Sequence, residues 1–341
     1  MDQNSTSAST TETSDHPGVD VTAERSTDAG RRWSRRRRAL VFVAVVLCVF
    51  YGIVSWTFSG MILYNSGGEY SEEREAREIA ALELDSIDDP EHFTVESSGV
   101  PIAGSFYENP AETGCAVLFL HGRGGQRTEL IDYVPLFWDR GCHAIVYDLR
   151  SRGDSGGDVQ SFGALDRLDT AAVIEWVADR TGLTSSDIGL FGASYGAGTA
   201  LVTTTVVDDL AFVIADSSYS SISAAVSEHA ARDFSPAAVP FVPGAVWLAG
   251  WRGGFAPEDS SPKNAAAQTD TPLLLIHPLD DTTNEWTHSQ EIYDSADPTT
   301  TRLTITDWGN DHVGSYRADP AAYSELVNEF LDELAPNWPS L

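Results

Sequence analysis

Six short apolar runs, which recur between residues 115 and 309, constrain the fold most strongly. Each run is continuous rather than alternating, so both faces of each strand must be buried. Helix-length segments such as 167–180 and 196–207 separate the runs. Two earlier strands, HFTVES and VPIAGSFYE, bring the predicted number to about eight. The pattern predicts an α/β fold with a mostly parallel sheet and helices on both faces. The six runs are CAVLFLHG, HAIVYDLR, DIGLFGAS, AFVIADSS, PLLLIHPLD and TRLTITDWG.

One of these strands ends in a serine held between two glycines. The stretch DIGLFGASYGAGTA places Gly192, Ser194 and Gly196 where the chain must turn sharply from strand to helix. Such a turn exposes the serine hydroxyl at the carboxyl end of the sheet, where ligands of α/β proteins bind. The motif alone is weak, because the chain has 28 glycines and small residues at such junctions also serve packing.

Two later strand ends supply the groups that a nucleophilic serine needs. A serine hydroxyl requires a base, and the base requires a carboxylate that orients it. The run IHPLDDTTN offers Asp280 and Asp281, and DWGNDHVGSY offers His312. The resulting chain order is serine, aspartate, histidine, which differs from the orders in chymotrypsin and subtilisin.

Four motifs together identify a family resemblance. FLHGRGG resembles H-G-x-x-G, YDLRSRGDSGG resembles D-x-R-G-x-G-x-S-x-G, IHPLDD resembles I-H-G-x-x-D, and GNDH resembles G-x-x-H. Residues 92–335 therefore resemble single-domain α/β hydrolases of the esterase and thioesterase-like kind, including their membrane-anchored members. The motif aspartate falls four residues after its histidine, which favours Asp281 over Asp280. Pro278 replaces the usual glycine of that motif, and the glycines of RSRGDSGG are shifted.

The resemblance implies an α/β-hydrolase fold and a set of site residues. Ser194 would be the nucleophile, His312 the general base and then acid, and Asp281 the group that fixes the imidazole tautomer. The backbone N–H groups of Arg123 and Tyr195 would form the oxyanion hole. The expected activity is hydrolysis of a small-molecule or lipid-like acyl ester or thioester, without a cofactor or a metal.

Two other functions stay open from the sequence. The chain could be a peptidase-like α/β hydrolase, or a non-catalytic binding or scaffold protein that keeps the fold.

His121 and His277 also lie at strand ends, where we expect them to hold loops together. The Arg123 side chain could bind an anionic substrate group or lie in solvent. Residues 218–262 are the least family-like, and we assign them as a small cap in which Trp247 and Trp251 contribute to a lid.

The N-terminal region differs in composition from the rest of the chain. We predict a disordered, Arg-rich tail at 1–38, a transmembrane helix at 39–60, a juxtamembrane spacer at 61–90 and the hydrolase domain at 91–337. The run ALVFVAVVLCVFYGIVSWTF contains no charged residue and is long enough, at roughly 30 Å as a helix, to cross a bilayer. A cleaved signal peptide of twin-arginine type is the alternative, although the run exceeds the usual length and no A-x-A site follows.

The arginine cluster RRWSRRRR precedes the apolar run directly and sets the expected orientation. By the positive-inside rule, the N-terminus stays cytoplasmic and the hydrolase domain lies outside the cytoplasm. Cys115 and Cys142 each precede a predicted strand, six residues before His121 and Asp148 respectively. If those strands are parallel neighbours, the two sulfurs could pair, but we expect free buried cysteines.

The chain is strongly acidic. It carries 51 acidic and 21 basic residues, for a formal net charge of -30, and Lys263 is its only lysine. Such a charge argues against nucleic-acid binding, which needs clustered lysine and arginine. The composition resembles that of proteins from extreme halophiles, in which salt screens the repulsion between carboxylates.

We predict from this charge that the fold requires salt. The midpoint of thermal unfolding should rise, and the transition should sharpen, between dilute buffer and molar salt. An equally cooperative transition with the same midpoint in both conditions would show that the acidic surface carries no salt requirement.

Overall fold

The computed structural model describes residues 21–64, 67–82, 84, 86–111, 114–335 and 338–339, with side chains from residue 33 onward. A boundary between two compact units falls after Tyr51, and the unit that begins at Gly52 contains the sheet. The helices are α1 Val21–Leu63, α2 Glu72–Ala81, α3 Pro135–Trp138, α4 Asp166–Thr181, α5 Tyr195–Thr203, α6 Ile222–Asp233, α7 Val242–Gly253, α8 Pro262–Ala266, α9 Thr287–Tyr293, α10 Ser315–Ala318 and α11 Pro320–Leu334.

Eight strands form one mostly parallel sheet, as expected. Its order is β1-β2-β4-β3-β5-β6-β7-β8, with β1, β2 and β4 paired antiparallel and all other neighbours parallel. The parallel strands end on the same edge, so the loops that follow β3, β5, β7 and β8 can meet there. The strands are β1 Glu91–Ser97, β2 Val100–Tyr107, β3 Ala116–Leu120, β4 His143–Tyr147, β5 Ile188–Ala193, β6 Phe212–Asp216, β7 Leu273–Pro278 and β8 Thr301–Thr306.

Both faces of the sheet are buried, which explains the continuous apolar runs. Successive side chains of a strand point to opposite faces, so Leu118 and Leu120 pack under helices α4 and α5. Val117 and Phe119 point the other way and pack against α3 and α11. The middle strands are buried along their whole length. Each therefore needs apolar residues at every position rather than at every second one.

Helix α1 contains the apolar run and extends well before it. Within the described residues, the segment Trp33–Leu63 is long and apolar enough to cross a membrane, and an 18-residue window within it has a mean hydropathy of 2.5. A membrane anchor and a signal sequence both fit this observation. The helix begins at Val21, whereas we expect disorder through residue 38. Alanine, glutamate and arginine favour helix, and propagation from an existing helix avoids the cost of nucleation. Residues 1–20 of that tail lie outside the described residues.

Helix α2 packs onto the globular unit rather than acting only as a spacer. Its residue Glu75 is buried and accepts hydrogen bonds from the hydroxyls of Tyr70 and Tyr107 at 2.6 and 2.7 Å. Ile79, the largest apolar residue of this helix, contacts the core on the α11 side of the sheet. The helix ends ten residues before β1 begins.

Cys115 and Cys142 form a disulfide, so the expectation of free cysteines is wrong. Their Cα atoms are 4.7 Å apart because they directly precede the parallel neighbours β3 and β4. The backbone N–H of His143 also donates to the Cys115 carbonyl at 2.9 Å. Strand adjacency, which sequence alone does not give, places the two sulfurs within bonding distance.

The segment that we assign as a cap lies between β6 and β7. It contains α6, a 3-10 helix at Pro236–Phe241, and α7. Three serines, Ser221, Ser235 and Ser261, begin helical segments by accepting a backbone hydrogen bond, as N-caps do. Trp247 and Trp251 on α7 are 65% and 67% exposed.

We predict that the disulfide stabilises the globular unit substantially. The two cysteines are 27 residues apart, and the chain-entropy relation gives about 3.5 kcal/mol for a closed loop of that length. Replacing Cys115 and Cys142 together by alanine should lower the free energy of unfolding by that order, as measured with denaturant. The control is Cys48→Ala, which removes a free cysteine and should change nothing. An unchanged free energy in the double variant would contradict the prediction.

Candidate active site

Ser194 lies in a sharp turn between β5 and α5. Its backbone has φ 54° and ψ -114°, a conformation that non-glycine residues rarely adopt and that costs free energy. The Ser194 N–H donates to the Asp216 carbonyl at 2.8 Å, and its own carbonyl accepts from the Gly198 N–H at 3.2 Å. These bonds fix the turn to neighbouring β6 and to the following helix.

The two glycines beside Ser194 are required by close packing. A Cβ on Gly196 would lie 1.9 Å from the Leu120 carbonyl oxygen, and one on Gly192 would lie 2.3 Å from the Gly196 carbonyl oxygen. Both distances are far below van der Waals contact, and the obstructing atoms are backbone. The residue with positive φ is Ser194. The glycines are therefore needed because neighbouring backbone atoms come close to them, and not because their own backbone is left-handed.

Ser194, His312 and Asp281 form one hydrogen-bonded row. His312 Nε2 is 2.7 Å from Ser194 Oγ, and His312 Nδ1 is 2.6 Å from Asp281 Oδ2. Because Nδ1 faces a carboxylate, it carries the ring proton, and Nε2 is left to accept the serine proton. The structure thus brings together the three side chains that we expect to act, whereas Asp280 is exposed.

Asp281 is buried and surrounded by hydrogen-bond donors. Burial raises the pKa of its carboxyl, but hydrogen bonds from His277 and His312 outweigh burial and hold this pKa well below its ordinary range. His277 Nε2 lies 3.1 Å from Asp281 Oδ2, and the N–H groups of Thr283 and Asn284 donate to Oδ1 at 2.8 and 2.9 Å. The carboxylate is therefore ionised at neutral pH.

Asp311 joins the loops that carry Asp281 and His312. Its carboxylate accepts from the backbone N–H of Thr282 and of His312, both at 2.8 Å. The Thr282 hydroxyl donates to the same carboxylate at 3.0 Å. These bonds connect the residue after Asp281 to the residue before His312. Asp311 was not among the expected site residues, although it directly precedes the motif histidine.

Strained backbone surrounds the site. Val313, which follows His312, has φ 53°, Ser217 has φ 59° and Phe162 has φ 52°. A β-branched residue at positive φ is a genuine outlier, and Val313 is held there by a hydrogen bond from its N–H to Ser217 Oγ at 3.1 Å. Such strain persists where surrounding contacts determine the conformation, as they do at functional sites.

The loop after β3 lies beside Ser194. A Cβ on Gly122 would be 3.7 Å from Ser194 Cβ, so this loop and the serine form one wall. His121 holds the loop: its Nδ1 donates to the Gly122 carbonyl at 2.8 Å, and its Nε2 accepts from the Leu149 N–H at 3.0 Å. This arrangement requires the neutral imidazole and agrees with the loop-holding role that we expect.

Arg123 and Tyr195 both line the cavity at Ser194. Tyr195 is the first residue of α5, so its N–H has no acceptor within the helix. The Arg123 side chain does not lie free in solvent. Its Nε donates to Gln160 Oε1 at 3.0 Å, and its guanidinium donates to the Met61 carbonyl at 2.8 Å. A cation at a helix C-terminus stabilises the unpaired carbonyls there.

The Tyr195 ring has a structural role. Its buried hydroxyl accepts from the backbone N–H groups of Ser161 and Phe162 at 3.1 and 2.9 Å and donates to Asp166 Oδ2 at 3.0 Å. Phe162, held at positive φ by these bonds, forms part of the cavity wall. The ring therefore shapes the cavity without reaching the serine hydroxyl.

The cavity at Ser194 has a volume of about 370 Å³, which suits a small ligand. Apolar and aromatic side chains form much of its wall, and the cap helix α6 contributes Ala225 and His229. His288 connects this helix to the fold. Its Nε2 is 2.7 Å from Glu228 Oε2, and its Nδ1 is 3.0 Å from Ser220 Oγ.

Comparison with known sequences identifies the relatives of this chain. The profile of X-Pro dipeptidyl-peptidase (S15 family) matches residues 20–235, which include Ser194 but end before Asp281 and His312. The uncharacterized protein YqkD of Bacillus subtilis is 27% identical over 245 residues, which are 71% of this chain and 79% of that protein. The uncharacterized protein YfhR of Salmonella typhimurium is 25% identical over 239 residues, covering 68% and 75%.

Solved structures share the fold. An esterase of Pyrococcus furiosus superposes with a TM-score of 0.62 at 21% identity, covering 80% of this chain and 98% of that one. The 2,6-dihydroxy-pseudo-oxynicotine hydrolase gives 0.58 at 17% identity, covering 79% and 77%. An acylaminoacyl peptidase of Pyrococcus horikoshii gives 0.56 at 19% identity, covering 75% and 43%. The chain has the α/β-hydrolase fold.

We predict that His121 makes stability depend on pH. Burial lowers the pKa of His121 from its ordinary value of 6.5, so the unfolded chain binds a proton that the folded chain does not. Its contribution to stability is present above pH 6.5 and is lost as the pH falls, by at most about 1.4 kcal/mol per pH unit.

The test compares wild type with His121→Gln by denaturant unfolding at pH 7, 6 and 5. The glutamine variant should show a shallower loss of the free energy of unfolding between pH 7 and 5, because other titrating groups are common to both proteins. Parallel pH profiles for the two proteins would contradict the assignment of a neutral His121.

Proposed function

The chain belongs to the X-Pro dipeptidyl-peptidase (S15) family, and we propose that it is a serine hydrolase that cleaves an ester or thioester through an acyl-enzyme. The observation that carries the proposal is the row from Ser194 Oγ through His312 to Asp281, with contacts of 2.7 and 2.6 Å. This row stands at the carboxyl end of the sheet, beside a cavity of about 370 Å³.

Acylation begins when Ser194 Oγ attacks the carbonyl carbon of the substrate. The hydroxyl proton passes to His312 Nε2, and the carbonyl electron pair moves onto oxygen to give a tetrahedral oxyanion. When this intermediate collapses, the bond to the leaving alcohol or thiol breaks, and His312 gives that group its proton. Water then donates a proton to His312, attacks the acyl carbon and releases the acid, and the proton returns to Ser194.

Asp281 acts through His312 rather than on the substrate. Its ionised carboxylate holds Nδ1–H, which leaves Nε2 free to accept the serine proton, and it stabilises the imidazolium that forms. Asp311 accepts hydrogen bonds from the Thr282 and His312 N–H groups, and His277 donates one to Asp281; these bonds support the geometry by fixing the two loops. Asp281→Asn removes this charge but keeps the shape, and the same change in serine proteases with such a row lowers kcat by about ten-thousandfold.

The N–H groups of Arg123 and Tyr195 are the proposed oxyanion donors. Both residues line the cavity beside Ser194, and the Tyr195 N–H points along the axis of α5 from its N-terminus. Each such donor contributes about 2.7 to 4 kcal/mol to transition-state stabilisation. Because the donors are backbone groups, the side chains at these positions act on the reaction only through loop geometry.

The walls of the cavity favour an ester over a dipeptide. Leu130, Phe162 and Val313 contribute apolar surface. A dipeptidyl-peptidase must bind the ammonium group of its substrate, for which a carboxylate is the natural partner. Among the described residues that line the cavity, Glu129 is the one carboxylate, and its Oε2 accepts from the Gly122 N–H at 3.0 Å. Peptidase activity is the second candidate, because the family is named for a peptidase.

We further propose that the hydrolase unit lies outside the cytoplasm behind a single N-terminal membrane helix. The arginine cluster at 31–38 precedes the apolar run, which favours a cytoplasmic N-terminus. The Cys115–Cys142 disulfide is of the kind that persists in oxidising compartments. A cleaved signal sequence would lead to the same side of the membrane without the anchor.

We predict that a fluorescent fluorophosphonate probe labels the wild-type protein in molar salt and does not label Ser194→Ala. The matched control is Ser223→Ala, which removes an exposed serine of α6 and should label like wild type. Hydrolysis of p-nitrophenyl butyrate should fall at least about a thousandfold in Ser194→Ala and be unaffected in Ser223→Ala.

Three outcomes separate the alternatives. Efficient release of p-nitroaniline from Ala-Pro-p-nitroanilide by wild type would favour the peptidase over the esterase. Labelling of both wild type and Ser194→Ala, or of neither, would contradict the nucleophile assignment, and absence of all hydrolysis would support a binding protein that keeps the fold.

A further inference from the structure

A second cavity adjoins the one at Ser194, and its wall is more apolar. It has a volume of about 230 Å³ and shares Arg123, Phe162, Ala225 and His229 with the first. We call it the side groove. Beyond the shared residues, its apolar wall includes Phe58, Ile62, Val226, Ala230 and Phe234. The shared residues make the groove an extension of the site at Ser194.

The last turns of α1 form one wall of the side groove. The rings of Phe58 and Phe234 pack with centroids 5.2 Å apart, which joins α1 to the residue after α6. The guanidinium of Arg252 donates to the Trp56 carbonyl at 3.1 Å and to Ser59 Oγ at 2.5 Å. The wall is therefore held from the α7 side by hydrogen bonds and from the α6 side by aromatic packing.

Arg123 fixes the same end of α1 from the active-site side. Its guanidinium donates to the Met61 carbonyl at 2.8 Å, while its backbone lies in the loop beside Ser194. Nearby, the Gln160 N–H donates to the Leu63 carbonyl at 2.9 Å. The polar groups of Arg123 and His229 thus stand where the two cavities meet, and apart from the exposed Asp233 the wall of the side groove beyond them is apolar.

We propose that the side groove binds the hydrocarbon chain of the ester substrate, with the ester carbonyl at Ser194. This inference rests on the proposed function, since it names the substrate class of the same site. An ester of a medium-length chain matches the arrangement, because its one polar group would occupy the polar cavity and its chain would displace water from apolar walls.

The volume of the side groove limits the length of the hydrocarbon chain that it can hold. The groove has a volume of about 230 Å³, which suits a hydrocarbon chain of medium length, on the order of eight carbon atoms. Phe58 is also the last residue of the uncharged apolar run. The bound hydrocarbon chain could thus belong to a soluble ester or to an ester embedded in a bilayer.

The test measures chain-length preference with the full chain in phosphatidylcholine nanodiscs and molar salt. In wild type, kcat/KM for p-nitrophenyl octanoate should exceed that for the acetate by at least tenfold. Val226→Trp, which fills the groove, should lower this ratio at least tenfold. The matched control Val206→Trp adds the same side chain at a partly exposed position after α5, outside the groove, and should leave the ratio within twofold.

A second variant tests the opposite change. Phe58→Ala removes a wall of the groove and should move the preferred chain length from about eight carbons toward twelve. If neither variant changes the chain-length profile while the fluorophosphonate probe still labels Ser194, the groove assignment is wrong and the proposed function stands. If wild type neither labels nor hydrolyses acetate, the proposed function fails, and this inference fails with it.

Two substrate forms identify the source of the chain. One arm uses p-nitrophenyl octanoate in solution, and the other uses 1-decanoyl glycerol in the nanodisc bilayer. Turnover only in the bilayer arm indicates a membrane substrate, and turnover only in solution indicates a soluble one. In either arm with turnover, Val226→Trp must reduce it relative to Val206→Trp, and an equal rate in both variants overturns the proposal.

Discussion

The contact between the start of α5 and the end of β3 is the constraint on which the site depends. Gly196 approaches the Leu120 carbonyl so closely that any side chain would collide with it. The approach forces the strand-to-helix turn to be sharp, and Ser194 takes the strained position at its apex. The same contact brings the α5 N-terminus beside the loop that begins at His121. One packing requirement thus positions both the proposed nucleophile and the proposed oxyanion donors.

The other half of the site is held by hydrogen bonds rather than by packing. Asp281 and His312 lie on separate loops after β7 and β8, and Asp311 joins these loops by accepting hydrogen bonds from the backbone N–H and the hydroxyl of Thr282. Ser217 holds Val313 in a conformation that valine rarely adopts. Because these bonds are directional, they fix the imidazole between the serine and the carboxylate more narrowly than apolar contacts would.

Much of this arrangement could be predicted from the sequence. Burial on both faces makes the parallel strands continuous apolar runs, and the order of Ser194, Asp281 and His312 along those strands identifies the elements that must meet. The pairing of Cys115 with Cys142 could not be predicted, because it depends on which strands are neighbours. The contacts of Arg123 with α1 and of Glu75 with Tyr107 join distant segments whose local patterns carry no sign of each other. The helical residues 21–38 also escaped prediction, because they show no apolar periodicity, which is the main signal of a helix in a sequence.

Trapping the acyl-enzyme tests the central claim most directly. Wild-type protein mixed with p-nitrophenyl octanoate and quenched in acid within the first turnovers should yield an octanoyl group on the peptide that contains Ser194, as identified by mass spectrometry. The account predicts this adduct at Ser194 and its absence in Ser194→Ala. An octanoyl group on a different residue, or rapid turnover in a protein whose Ser194 is never acylated, would contradict it.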